Sequence, residues 1–265
     1  MHFKYIRMKF TVHPNFASHT DDILKIIEDF NVSGVFLNVP VRNSIKIFDL
    51  NSIKVNVKSF KKPNFLNKII YGFFRKSKAK RSFEFANILL ENKIGTPQPI
   101  AYIENKSIFG LNESFYMSEQ LDADLLFREL TTNNNYPQIE LILKQFTQFT
   151  YNLHEKGIEF IDNTSGNTLI KKTANDVFEF YLVDLNRMNF HHKMSFESRI
   201  KNLAKLTSNK FIIGEISKEY AKLSGYDFQI VNEALTKYSV KFQERFIKKR
   251  KLKRKLKFWQ NSKEI

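Results

Sequence analysis

The residues best suited to chemistry lie between positions 153 and 187. Asp162 and Asn167 stand five apart on one polar loop, and Asp184 follows a hydrophobic run. Spacing predicts a short strand over 168–171, a turn over 172–176 and a second strand over 177–183. In an antiparallel hairpin the start of one strand lies about 5 Å from the end of the other. Asn167 precedes the first strand and Asp184 follows the second, so the hairpin is expected to bring two oxygen donors to one end. Mg²⁺ takes hard oxygen ligands and leaves its other positions to waters and substrate phosphates. Asp162, on the same loop, is placed to accept a proton from an attacking hydroxyl. Asp, Asn, Ser and Gly also dominate ordinary turns, so the hairpin and Asp184 carry the weight of this reading.

The elements that must hold these residues can be traced from the start of the chain. Residues 3–12 are strand-like. Thr20, Asp21 and Asp22 open a helix carrying Ile23, Leu24, Ile27 and Phe30. Two extended runs, 44–48 and 53–60, form a hairpin. In the second, Ile53, Val55 and Val57 alternate with Lys54, Asn56 and Lys58, the pattern of a half-buried strand. Phe65, Leu66, Ile69, Ile70, Phe73 and Phe74 recur at helical spacing, and a further helix carries Phe83, Glu84, Ala86, Asn87 and Leu90. That helix is expected to stop near Gly95, since Gly favours helix ends and Thr96-Pro97 resists continuation. Residues 101–103 and 114–118 form another strand pair. The polar stretch 119–122 is the expected lobe boundary. Beyond it, Ile139, Ile142, Leu143, Phe146, Phe149 and Leu153 line one face of a buried helix closed by Gly157. The chain from 196 onward reads as helical. The fold class is α+β and bilobal, with a mixed-strand lobe over 1–118 and a mostly helical lobe over 119–265. Ligands commonly bind at such a seam.

Composition narrows the chemistry. The chain has 265 residues, 27 of them Phe, which excludes intrinsic disorder. It has no Cys, which excludes a disulfide scaffold, a Cys-ligated metal and a thiol nucleophile. The net charge of +16 favours an anionic partner. Ten Lys/Arg and one Glu fall in 241–258, and ten Lys/Arg with no acidic residue fall in 51–83. No stretch approaches the roughly 20 apolar residues of a membrane helix, and no signal-peptide core is visible. The expectation is a cytoplasmic protein, peripheral on the inner membrane. The stripe over 65–74 has two readings, an interfacial membrane helix or a helix packed on the small lobe. The basic tail over 248–257 reads as a lipid contact, a nucleic-acid arm or a solvated face. It is poor in stacking aromatics, so nucleic acid is not the expected partner. His191-His192 lacks a partner cluster at ligand spacing. His154 reads as a packing or capping residue, and Arg187 as a substrate contact or a structural salt bridge.

Asp-x4-Asn followed by a hairpin ending in Val-Asp resembles the catalytic and metal loops of protein kinases and their small-molecule relatives. Lys58 on its strand aligns with the phosphate-holding lysine of that arrangement, and Glu84 on a following helix with the glutamate that pairs with it. More narrowly, the chain resembles the bacterial lipopolysaccharide core kinases, the Kdo/heptose kinase family with a protein-kinase-like fold. The carrying stretches are 57–63, 77–86, Gly95-Thr96-Pro97-Gln98-Pro99, 162–170 and Leu182-Val183-Asp184-Leu185-Asn186-Arg187. The resemblance covers roughly 40–205. It implies ATP- and Mg²⁺-dependent phosphorylation of an inner-core sugar hydroxyl, with Kdo the expected sugar. By matching position it implies Asp162 as base, Asn167 and Asp184 as metal ligands, and Lys58 with Glu84 as the phosphate clamp. The expected acceptor is a lipopolysaccharide precursor or another sugar, presented at an anionic membrane surface. No obligate protein partner is inferred.

The chain departs from that family in three places. A Gly-rich phosphate loop is missing after Gly34, leaving Arg42 and Asn43 as substitute phosphate contacts. Phe160 stands where the family usually has His, and Ser165 stands where it often has Pro. These departures keep a degenerate kinase-fold scaffold at a membrane as the competing reading, beside a protein kinase with the same core.

Overall fold

The computed structural model describes residues 7–37, 39 and 43–261. The chain divides into two compact units, one of Met1–Asp122 with Tyr181–Arg187, the other of Ala123–Phe180 with Met188–Ile265. The first unit ends at the edge of the polar stretch 119–122, beyond the expected lobe end at 118, and also takes in a segment from beyond residue 180.

The first unit is built on an antiparallel sheet. Its strands are β1 (Arg7–Val12), β2 (Val35–Phe36), β3 (Ser44–Leu50), β4 (Ile53–Ser59), β5 (Pro99–Ser107) and β6 (Gly110–Glu119), in the order β1-β5-β6-β4-β3-β2. Its helices are α1 (Thr20–Glu28), α2 (Phe65–Ile69) and α3 (Lys78–Glu91). The front of the expected strand, 3–6, lies outside the described residues.

The alternation read in β4 holds. Val55 and Val57 are buried, Lys54 is exposed, and Lys58 lies between Ile45 on one neighbouring strand and Tyr116 on the other. Asn51 and Ser52 both take positive φ in the β3–β4 turn, which suits the twist of a two-residue hairpin. The core joins Ile23, Ile27 and Phe30 to Phe48, Val55, Val57, Ile103 and Phe115.

Ser77 caps α3 by accepting a hydrogen bond from the Lys80 N–H at 3.0 Å. The helix stops at Glu91, and the left-handed residue after it is Lys93, not Gly95. Gly95 serves elsewhere: its carbonyl accepts from the Leu182 N–H at 2.9 Å, while the Thr96 hydroxyl donates to the Leu182 carbonyl at 2.8 Å. Those two bonds tie Tyr181–Arg187 into the first unit.

The second unit contains β7 (Leu125–Leu126), α4 (Phe127–Thr132), α5 (Ile139–Glu155), β8 (Ile158–Phe160), β9 (Thr168–Ala174), the first part of β10 (Val177–Leu182), β11 (Met188–Phe190), α6 (Phe196–Leu203), α7 (Lys210–Ser224) and α8 (Phe228–Asn261). The strands form a β10-β9-β7 sheet and a β11-β8 pair. The apolar face of α5 is buried as its periodicity requires, with Phe146 against Phe127 at 4.4 Å between ring centroids. Ile200, Leu203, Ile213, Ile216 and Tyr220 complete that core. The turn expected over 172–176 is shorter than read: β9 continues to Ala174, and Asp176 turns the chain with φ 61°.

Candidate active site

Asp162 lies on the loop that leaves β8, and that loop is closed on itself. The Asn167 amide donates to the Asp162 carbonyl at 2.8 Å, the Thr164 N–H donates to the same oxygen at 2.7 Å, and the Asn167 N–H donates to Thr164 at 2.9 Å. The structure thus brings Asp162 and Asn167 together as one turn. Both are half-buried.

A second layer of bonds from α6 and the residues after it fixes the backbone on either side of Asp162. Asn202 donates to the Phe160 carbonyl at 2.7 Å, and the Lys205 ammonium donates to the Ile161 carbonyl at 2.9 Å. The Asn163 amide donates to the Asn202 side chain at 3.1 Å. Asn202 in turn meets His154 Nε2 at 3.2 Å, and His154 Nδ1 meets the Tyr220 hydroxyl at 2.9 Å. Burial pushes the His154 imidazole down to about 4, against a smaller opposing pull from its Asn202 bond. His154 is therefore neutral near pH 7 and acts as a fixed strut. Phe160, at the position where the kinase pattern has His, is fully buried. The polar role at this level passes to Asn202 and Lys205, which touch the loop backbone instead.

In the first unit the outstanding contact is between Lys58 and Asp184. The ammonium lies 2.8 Å from the carboxylate, with the lysine side chain 13% exposed and the aspartate 37%. Asn186 donates to the same carboxylate oxygen at 2.6 Å. Asp184 takes φ 61°, the left-handed region that non-glycine residues seldom occupy. Two bonds to one oxygen hold it in that conformation. Asn167 immediately precedes β9, and Asp184 follows β10 by two residues.

The remaining expectations fare differently. Glu84 is bonded to Lys76 at 2.9 Å, with Lys80 at 4.0 Å, so the expected Lys58–Glu84 pair is replaced by Lys58–Asp184 and Lys76–Glu84. The basic stretch before α3 supplies a nearer cation than β4 does. Asn43 accepts from the Lys61 N–H at 3.1 Å and so ties the start of β3 to the end of β4. Arg42 lies outside the described residues. Asn186, Asn163, Asn202 and Lys205 were not singled out in sequence. Asn186 had a signal in its spacing from Asp184; the α6 residues had none. Among the described residues no group of three or more His, Asp or Glu side chains forms a metal cluster.

A strand-rich unit holding a lysine–aspartate pair, and a helical unit holding a closed Asp–Asn loop, define a kinase-like α+β protein. The chain belongs to the lipopolysaccharide kinase (Kdo/WaaP) family, whose model matches residues 55–257. It is a kinase, a phosphotransferase acting on sugars of the lipopolysaccharide core. A solved structure of WaaP in complex with acyl carrier protein shares the fold, with a TM-score of 0.61 at 15% identity over 90% of this chain and 99% of that one. No curated protein matches the sequence.

Proposed function

We propose that the protein transfers the γ-phosphoryl group of ATP, with Mg²⁺, to a Kdo hydroxyl of the lipopolysaccharide inner core at the cytoplasmic face of the membrane. The observation that carries this reading is the Lys58–Asp184 pair, a half-buried cation and carboxylate held at the end of the hairpin. Asp162 orients the acceptor hydroxyl and takes its proton as the new O–P bond forms, the bond from the γ-phosphorus to the bridging oxygen breaks, and ADP departs. Lys58 steadies the nucleotide phosphates.

The donor chemistry suits a hard cation: a carboxylate such as Asp184 and an amide oxygen such as Asn167 are the oxygen ligands Mg²⁺ takes beside waters and phosphate oxygens. The buried Thr168 hydroxyl, next to Asn167, has no hydrogen-bond partner among the described residues, which is also consistent with a bound polar group. Mg²⁺ there would neutralise phosphate charge.

The test incubates purified enzyme with γ-labelled ATP and a Kdo-terminated lipid A precursor, followed by mass spectrometry. Label on the Kdo residue, lost with EDTA and in Asp162→Asn, is the expected result. No transfer to any Kdo-bearing acceptor would overturn the choice of sugar.

A further inference from the structure

The segment linking β4 to α3 carries a surface that the phosphotransfer reading does not use. α2 (Phe65–Ile69) runs directly into a π-helical turn, Ile70–Phe74, closed by the Arg75 N–H on the Ile70 carbonyl at 2.8 Å. Phe65, Leu66, Ile70, Phe73 and Phe74 are all exposed on this segment. Gly72 lies on the opposite side. A Cβ there would stand 2.6 Å from Cα of Gly110, and one on Gly110 would stand 2.3 Å from the Lys68 carbonyl. This glycine-to-glycine approach seats the segment against the β5–β6 hairpin and leaves its apolar side uncovered.

The hairpin adds to that side. Its two-residue tip is Ile108-Phe109, where turns usually carry Gly, Asn or Asp. The Lys68 ammonium sits over the Phe109 ring at 5.8 Å. Phe65, Leu66, Ile70, Phe73, Phe74, Ile108 and Phe109 are between 42% and 82% exposed. Isolated exposed apolar residues are ordinary on a protein surface; seven large ones on two adjoining elements are not.

Charge selects the occupant. No Asp or Glu occurs from 51 to 83, while Lys61, Lys62, Lys68, Arg75, Lys76, Lys78, Lys80 and Arg81 flank the apolar residues along the chain; Lys62 pairs with Glu113 and Lys76 with Glu84, and Lys68 stands over Phe109. Exposed aromatic and aliphatic residues within a purely basic stretch of chain match an anionic bilayer, whose acyl boundary takes the rings and whose headgroups take the charges. We propose that residues 65–74 and the 108–109 tip form one membrane-docking surface that inserts into anionic lipid. The proposal stands on this surface alone and is tested without nucleotide or acceptor, so its failure leaves the phosphotransfer reading untouched.

The full chain is floated with vesicles of phosphatidylcholine alone or of an equal mixture with phosphatidylglycerol. Binding is expected to the mixed vesicles only, weakening with salt, and the bound fraction should fall about tenfold or more in F73E/F74E. Both positions are exposed, so an unchanged melting temperature serves as the folding control. In W259F/F109W, which leaves position 109 as the sole tryptophan, emission should shift blue on mixed vesicles. Failure to bind mixed vesicles would overturn the proposal. So would unaltered binding in F73E/F74E together with an unshifted Trp spectrum, an outcome that assigns the lipid contact to the α8 cations.

Discussion

The ammonium of Lys58 lies 2.8 Å from Oδ1 of Asp184, across 126 residues of sequence. Asn186 bonds the same oxygen, and the backbone at Asp184 is left-handed. The aspartate is thus posed by a strand lysine and by its own loop. If the pair serves phosphoryl transfer as proposed, a lysine fixed in this way needs little reorganisation when phosphate charge develops.

Lys58→Met and Asp184→Asn are each expected to lower kcat by at least about a hundredfold, the scale for losing one preorganised electrostatic contact. The double variant should lose far less than the product of the two, because the side chains act as one unit. Steady-state rates of the four proteins form the cycle. Fully additive losses would show that the pair has no joint role in turnover.

Asn202 offers a separate handle on the loop that carries Asp162. Its amide reaches the Phe160 carbonyl, and its oxygen meets His154 and Asn163. Asn202→Leu strands these buried polar groups and should cost about 1–3 kcal/mol of stability. If the bonds position the loop, kcat falls while KM for ATP stays near its wild-type value. Urea denaturation and initial rates measure the two effects independently. Lost stability with unchanged kcat would make Asn202 purely structural.

The sequence disclosed what is local and periodic. Alternation in β4 placed Val55 and Val57 inside, helical spacing placed the α5 face, and the spacing of Asp162 and Asn167 placed them on one loop, where a hydrogen bond joins them. Other features depend on which distant groups arrive first. Glu84 lies on the expected helix, yet Lys76 takes its carboxylate, and chain order alone does not rank two candidate cations. β5 continues through Glu104, Asn105 and Lys106, whose polarity hides the strand period; in the fold Glu104 pairs with Lys106 at 3.2 Å. Asn202 lies 40 residues beyond Asp162, on a helix whose sequence carries no sign of the loop it holds.

Burial of His154 makes stability depend on pH. Its folded-state value is about 4, below the ordinary 6.5, because burial disfavours the charged ring. The unfolded chain therefore takes up a proton below pH 6.5 while the folded chain stays neutral until about pH 4. The contribution is complete above the unfolded value and is lost as pH falls between the two, on the order of 3 kcal/mol in all. Melting temperatures between pH 7 and pH 4.5 should decline more steeply in the wild type than in His154→Gln. Parallel declines would place the acid sensitivity elsewhere.

Gly157 and Gly225 share a left-handed backbone, with φ 68° and 73°, but differ in what surrounds them. A Cβ at Gly157 would stand 1.9 Å from the His191 carbonyl oxygen, which is backbone and cannot swing aside. The His191 N–H also donates to the Gly157 carbonyl at 2.8 Å, so the same approach joins β11 to the start of β8, the strand whose other end leads into the Asp162 loop. Around Gly225, the cap of α7, nothing comes within 4 Å. Gly225→Ala should cost only the backbone penalty, roughly 1–2 kcal/mol. Gly157→Ala adds displacement of a strand and should cost about 3 kcal/mol or more, with a matching fall in activity of the folded fraction. Chemical denaturation of the two variants decides the matter. Equal costs would mean that β11 yields freely, and that its closeness to Gly157 contributes nothing to holding the loop.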